Sequence, residues 1–126
     1  MRAGARSSRR ERPAFLAALA VVALLAPDTG ARAESGLESA LARADAAWAS
    51  RSEGRDGGRA DPQAARRAVR AAQAAHEAHP ESLAAAWRVL RALFFQGEFA
   101  APEEAARRKI FDEATGVAEA ALGRLA

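Results

Sequence analysis

Two histidines and a group of arginines are the side chains of this sequence best suited to chemistry or binding. His76 and His79 lie three residues apart with Glu77 between them, so a helix would place both imidazoles on one face. A zinc-hydrolase helix needs its two histidines four residues apart, and this pair is one residue short of that spacing. We therefore interpret the pair as exposed side chains near a helix C-terminus, with a small metal-dependent enzyme built on them as the remote alternative.

Arg88 and Arg91 interrupt a segment that is otherwise apolar. A long charged side chain in such a helix usually finds a partner, which predicts ion pairs with Asp45, Glu113 or Glu119 that fix the register of neighbouring helices. The alternative is that both arginines line a ligand groove. The residues that we expect to act in binding or in helix register are Trp48, Trp87, Arg88, Arg91 and Phe94.

Other features of the sequence argue against catalysis. The chain has no cysteine, which excludes disulfides, thiol catalysis, iron–sulfur clusters and cysteine-bound zinc. It contains no serine in a nucleophile-elbow pattern and no glycine-rich phosphate loop before a helix. Arg66, Arg67 and Arg70 fit the solvated face of a helix. We predict a protein that is not an enzyme and has no catalytic, metal or cofactor site.

The first 33 residues have the three parts of a secretory signal peptide. An arginine-rich start precedes the 12-residue apolar run from Phe15 to Ala26, and Ala31-Arg32-Ala33 provides a signal-peptidase site. The apolar run is shorter than the roughly 20 residues that span a bilayer, which predicts no stable membrane span after cleavage. We expect residues 1–33 to be removed and residues 34–126 to form a periplasmic or secreted helical domain.

Processing after Ala33 is directly testable. N-terminal sequencing of the protein recovered from the periplasm should begin at Glu34, because the small-x-small pattern ends at Ala33. Recovery of the intact chain from Met1 in the membrane fraction would contradict this expectation.

The positive charge of the chain is concentrated in the leader. Six of its 19 basic residues and two of its 16 acidic residues precede Glu34, which leaves 13 basic and 14 acidic residues and a net charge of −1. A nucleic-acid-binding domain needs a basic excess, so we expect no nucleic-acid partner.

Periodicity and helix breakers predict about four helices. The first runs from about Gly36 to Arg51 and is followed by a mobile, glycine-rich loop. The second begins at Pro62 after an Asp61 cap, ends near Ala78, and has a buried face made almost entirely of alanine. The third opens at Pro80-Glu81-Ser82 and ends at Gly97, and the fourth begins at Pro102.

The packing expected from these helices pairs bulky side chains with small ones. Trp48 and Trp87 are expected to lie against the alanine faces of neighbouring helices, with Trp87 buried between two hairpins. Two hairpins leave part of the fourth helix without a partner, so we expect self-association, a protein partner, or further helices beyond Ala126.

The spacing of several small residues resembles tetratricopeptide repeats (TPRs). Ala68, Ala75 and Pro80 are separated by seven and five residues, and Ala114, Ala121 and Ala126 repeat those intervals, each set following a tryptophan. The segments ADAAWASR (44–51), ESLAAAWRVLRALFFQGEF (81–99) and IFDEATGVAEAAL (110–122) resemble the TPR-like exported bacterial proteins that include the T component of TRAP transporters. They also resemble the microtubule-dynamics-regulator type of repeat protein.

This resemblance implies an all-α fold of stacked antiparallel hairpins, a periplasmic location, and a binding or accessory role. We therefore expect an exported, non-enzymatic helical protein that binds a protein partner or a small ligand. The alternative is an accessory component of a TRAP-type solute transport system. An apolar cavity lined by Trp87 and Phe94 would favour a small ligand, whereas an exposed apolar surface would favour a protein partner.

Overall fold

The computed structural model describes residues 29–126, without the side chains of Thr29 and Ala31, and this part of the chain is helical and has no strand. The four helices are α1 (Thr29–Ala49), α2 (Pro62–Ala78), α3 (Leu83–Phe95) and α4 (Glu104–Gly123), and a π-helical turn (Gln96–Ala100) continues α3. The predicted all-α fold with about four helices is confirmed. None of the helices in the described part is long and apolar enough to cross a membrane.

The N-terminal boundary of α1 differs from the prediction. Residues 1–28, which include most of the expected signal peptide, lie outside the described residues. Helix α1 begins at Thr29 rather than at Gly36, and a compact unit extends from Ala33 to Ala126. The first buried side chain of α1 in the described part is Ala40. Cleavage after Ala33 would therefore remove no buried side chain among the described residues.

Side-chain caps set the starts of α2 and α3, of which the sequence predicts the Asp61 cap of α2; α3 begins at Leu83, just after the predicted opening at Pro80-Glu81-Ser82. The Oδ1 atom of Asp61 accepts a hydrogen bond of 3.1 Å from the backbone N–H of Gln63, and Pro62 occupies the first helical position. The Oγ atom of Ser82 accepts a hydrogen bond of 3.1 Å from the backbone N–H of Ala85. Each cap satisfies an N–H group that has no partner within its own helix.

The core lies where α1, α2 and α3 meet, and it consists almost entirely of small side chains. Leu93 and Val89 are its largest fully buried residues. Helix faces made of alanine can approach each other closely. The two backbones then lie near each other, and large side chains do not need to interlock between them. The predicted alanine face of α2 is confirmed, except that Ala71 is only partly buried. The buried residues of the three helices are Ala40, Ala44, Ala64, Ala65, Ala68, Val69, Ala72, Ala75, Ala85, Ala86, Val89, Ala92 and Leu93.

The expected burial of Trp87 is wrong. Its side chain is 59% exposed, and the alanine face of α2 instead meets the small face of α3. An indole cannot enter an interface in which both faces are alanine without pushing the helices apart. Trp48 is half-buried, and its ring contacts are with Phe95 and with two arginines.

The α-helical part of α3 ends at Phe95, close to the predicted end at Gly97, but the chain continues through an unpredicted π turn to Ala100. Gly97 is buried where this turn meets α4. A Cβ atom at this position would lie 2.9 Å from Cζ of Phe111, closer than carbon atoms approach. Glycine is therefore needed here for the close approach of the turn to α4. The ion pair between Arg107 Nη2 and Glu98 Oε2, at 2.8 Å, joins the same two elements.

Candidate functional site

An apolar groove lies between α3 and α4 and has a volume of about 500 Å³. We call it the apolar groove and define it by the residues that line it: Trp48, Trp87, Leu90, Arg91, Phe94, Phe111, Ala114, Thr115 and Ala118. The rings of Phe94 and Phe111 meet across it with their centroids 6.0 Å apart. The structure therefore brings together four of the five residues expected to act in binding or register, and the fifth, Arg88, is ion-paired beside Arg91.

The bulkiest apolar side chains of α3 lie on the outside of the domain. Trp87 is 59% exposed, Phe94 is 58% exposed and Leu83 is also exposed. Helix α4 contributes no buried residue in the described chain, and its Leu122 is exposed as well. Single exposed apolar residues are ordinary, but a continuous apolar face of this kind is typical of an interaction site.

Arg88 and Arg91 share one carboxylate, that of Asp45 on α1. Arg88 makes a bidentate pair, in which Nε donates to Oδ1 at 2.8 Å and Nη2 donates to Oδ2 at 2.9 Å. Arg91 donates from Nη2 to Oδ1 of the same residue. Of the three candidate partners named from the sequence, the structure selects Asp45 for both arginines; Glu113 instead accepts a hydrogen bond from Gln73. The three side chains link α1 to α3.

The electrostatic consequence is a carboxylate held in its ionised form. The hydrogen bond from Arg88 lowers the pKa of Asp45 below its usual value, with Arg91 acting in the same direction against partial desolvation. The same pairing raises the pKa of Arg88. A carboxylate with a lowered pKa is a weak general base, so this cluster suits structural pairing better than proton transfer.

Trp48 lies between the ion-pair cluster of Asp45, Arg88 and Arg91 and a second cavity. The guanidinium carbon of Arg91 lies 4.6 Å from the centroid of the Trp48 ring, and that of Arg51 lies 3.9 Å from it. The ring of Phe95 meets Trp48 edge-on at 5.8 Å. Stacking of guanidinium groups on indole is favourable and holds both arginine side chains in defined positions.

The second cavity, which we call the loop cavity, lies between the α1–α2 loop and the C-terminal end of α3. Its volume is about 460 Å³. Three arginines and four aromatic residues line it together with small residues of the loop: Trp48, Arg51, Ser52, Arg55, Gly57, Gly58, Arg59, Ala60, Phe94, Phe95 and Phe99.

The loop that forms this cavity has a defined backbone path, where the sequence alone predicts only mobility. Asp56 and Arg59 exchange two backbone hydrogen bonds, of 2.9 and 3.0 Å, around a tight turn at Gly57-Gly58. Gly57 has a φ of 59°, a conformation that side chains with a Cβ atom rarely adopt. The backbone N–H of Ala60 donates to the carbonyl oxygen of Phe99 at 2.9 Å, which ties the loop to the π turn.

Sequence reasoning missed this cavity. Its arginines, at positions 51, 55 and 59, recur every fourth residue, and that spacing is the signal that could have found them. The composition of this stretch by itself predicts only a mobile, glycine-rich loop. The contribution of Phe95 and Phe99 depends on the π turn, which brings their ring centroids to 5.2 Å.

The histidine pair forms no larger cluster in the part of the chain that the structure describes. His76 is half-buried near the end of α2, and its Nδ1 atom is buried with no hydrogen-bond partner among the described residues. His79 caps the same helix through its backbone N–H, which donates to the carbonyl oxygen of Ala75 at 3.0 Å. No group of three or more histidine, cysteine or acidic side chains that could hold a metal ion occurs in residues 29–126.

Comparison with known proteins adds no relationship to these observations. No family model matches the chain, and neither a curated protein nor a solved structure matches it significantly. The resemblance to TPR-like exported proteins thus stays a prediction from the residues quoted above. The described part of the chain is all-helical, and a function must be inferred from the apolar groove and the loop cavity.

Proposed function

We propose that this protein is an exported, non-enzymatic binding protein that receives the apolar face of an amphipathic helix of a protein partner in the apolar groove. The proposal rests on the distribution of large and small side chains on α3, in which most of the buried residues are small and the large aromatic residues Trp87 and Phe94 are exposed. Alanines, Val89 and Leu93 fill the interior, whereas Trp87 and Phe94 face outward beside α4. Large aromatic residues are the side chains that most often dominate the binding energy of protein interfaces.

The form of the groove favours a helix over a small molecule. Pockets for small molecules usually enclose most of the ligand surface. Here Trp87 and Phe94 are each more than half exposed, and the one charged side chain of the lining, Arg91, is already paired with Asp45, so the groove has no free charged group that would orient a small ligand. Two helices that present an apolar seam are the usual receptor for a third, amphipathic helix. The next hairpin of a TPR-like array would occupy this kind of position, which agrees with the resemblance.

The charges around the groove are consistent with an apolar occupant. Arg91 is the only charged residue in the lining, and its guanidinium already pairs with Asp45 and stacks on Trp48. A partner therefore needs no acidic side chain to neutralise the groove. Affinity would come from burial of apolar surface, at roughly 25 cal/mol per Å² before the costs of association.

Site-specific photo-crosslinking in the native host tests this function. A photo-reactive amino acid at Trp87 should form adducts with a second protein, and peptide mapping should place the adduct on an amphipathic helix of that partner. The same amino acid at Arg67, an exposed position on α2, is the matched control and should form few adducts. If adducts form only between copies of this chain, the groove mediates self-association and the proposal of a different protein partner is wrong. Equal yields at both positions would contradict the groove as a binding site.

A further inference from the structure

We infer that the loop cavity is a second site, which adjoins the apolar groove at Trp48 and Phe94 and binds a small organic acid: a carboxylate attached to a flat apolar body. Arg55 and Arg59 would bind the carboxylate beside the fixed charge of Arg51, and the rings of Phe95 and Phe99 would contact the apolar body. The Trp48 ring supports Phe95 edge-on and is itself stacked by the guanidinium groups of Arg51 and Arg91. This inference does not depend on the partner proposed for the apolar groove.

The charge of the cavity is the first argument. Three guanidinium groups and no carboxylate line it, although Arg59 also lines a neighbouring cavity of the α1–α2 loop together with Asp56 and Asp61. The side chains of Arg55 and Arg59 are exposed and have no hydrogen bond or ion pair with any residue of the described chain. Arginine binds carboxylates through paired, charge-assisted hydrogen bonds, so clustered guanidinium groups without counter-charges favour an anion and disfavour a cation.

The state of Arg51 is the second argument. Its Nη1 atom donates to the carbonyl oxygen of Trp48 at 2.9 Å, and its guanidinium lies over the rings of Trp48 and Phe95. These contacts fix the side chain before any ligand arrives. Its Nε atom is buried and has no hydrogen-bond partner among the described residues. Because this atom is buried, a ligand in the open cavity cannot reach it, and Arg51 contributes to the site a positive charge held in a fixed position.

The aromatic wall is the third argument. Phe95 contacts Trp48 at 5.8 Å and Phe99 at 5.2 Å, and together they form a continuous apolar surface next to the guanidinium groups. Gly57 and Gly58 also line the cavity, and because they carry no side chains they leave room in it for a planar group. A volume of about 460 Å³ lies within the range of small-molecule sites. The combination selects a molecule that has one anionic end and one flat apolar end.

Titration of the protein with naphthoate tests this site, because naphthoate combines both features. Trp87→Phe leaves Trp48 as the only tryptophan of the chain. Because Trp48 lines both the loop cavity and the apolar groove, its quenching is assigned to the loop cavity through the arginine variants described below. Naphthoate should bind at least tenfold more tightly than naphthamide, which has the same ring system and no charge. Calorimetry on the unmodified protein should give the same order of affinities.

Variants of the two exposed arginines provide the second comparison. Arg55→Gln combined with Arg59→Gln should weaken naphthoate binding at least tenfold and leave naphthamide binding unchanged, with unaltered helicity by circular dichroism. Arg70→Gln, an exposed position on α2, is the matched control and should retain wild-type binding. The inference is overturned if naphthamide binds as tightly as naphthoate, or if the double variant binds naphthoate like the wild type. Because both exposed arginines lie outside the apolar groove, either result leaves the partner proposal standing.

Discussion

Replacement of Leu93 by alanine should lower the free energy of unfolding by about 3 kcal/mol, the largest effect that we expect from a single side-chain truncation here. Leu93 is 1% exposed and is one of the two largest fully buried side chains. Its neighbours in the core are mainly alanines, which have no side chain long enough to fill the space that the truncation leaves. The cost therefore includes the lost burial and a persistent cavity. Chemical denaturation monitored by circular dichroism would measure it.

Trp87→Ala is the matched comparison for Leu93→Ala. Tryptophan is larger than leucine, but Trp87 lies on the exposed side of the same helix. We expect it to cost less than about 1 kcal/mol, since exposed positions rarely contribute more. A small domain has a total stability of only about 5–10 kcal/mol, so the two variants should be clearly separated in their denaturation midpoints. If Trp87→Ala were the more destabilising variant, the assignment of the inner and outer faces of α3 would be incorrect.

Replacement of Asp45 by asparagine should lower the free energy of unfolding by about 1–2 kcal/mol at neutral pH. The variant keeps the shape of the side chain but leaves Arg88 and Arg91 facing each other without a counter-charge. Removal of one partner from a fully buried pair costs roughly 3–5 kcal/mol. The side chain of Asp45 is 45% exposed, so solvent screens the arginines and the expected effect is smaller.

The pH dependence gives a signature that loss of packing would not produce. The pKa of Asp45 is lower in the folded protein than in the unfolded chain, where it is about 3.9. Its contribution to stability is therefore complete above about pH 4 and is lost as the pH falls through the folded-state pKa. The stability difference between the wild type and Asp45→Asn should shrink in acid.

Glu119→Gln provides the control for this experiment. Glu119 is exposed on α4 and makes no ion pair in the described part of the chain, although the sequence had also named it as a possible partner. Its substitution should leave stability nearly unchanged at neutral pH. A difference between the wild type and Asp45→Asn that stays constant from neutral pH into acid would contradict the role of the ion pair.

The amino-acid sequence by itself determined the helical elements and one buried face. Asp61 and Ser82 cap their helices through contacts within three residues, and the alanine periodicity of α2 marks its buried side without ambiguity. These features are predictable because capping and periodicity depend on residues that are close in sequence. The charge pattern likewise limited the partners of Arg88 and Arg91 to three acidic residues.

Tertiary structure alone decided which face of α3 is buried and which acidic residue pairs with Arg88 and Arg91. It also decided where the apolar groove and the loop cavity lie. Helix α3 is apolar on several sides, so its periodicity could not separate the inside from the outside. The alanine face of α2 resolved this, because only the small face formed by Ala85, Val89 and Ala92 lets the two backbones come close enough to exclude water. That choice directs Trp87 outward into the apolar groove. The loop cavity depends on contacts between residues about 40 positions apart, such as Ala60 with Phe99, and local sequence patterns carry no information about such distant contacts.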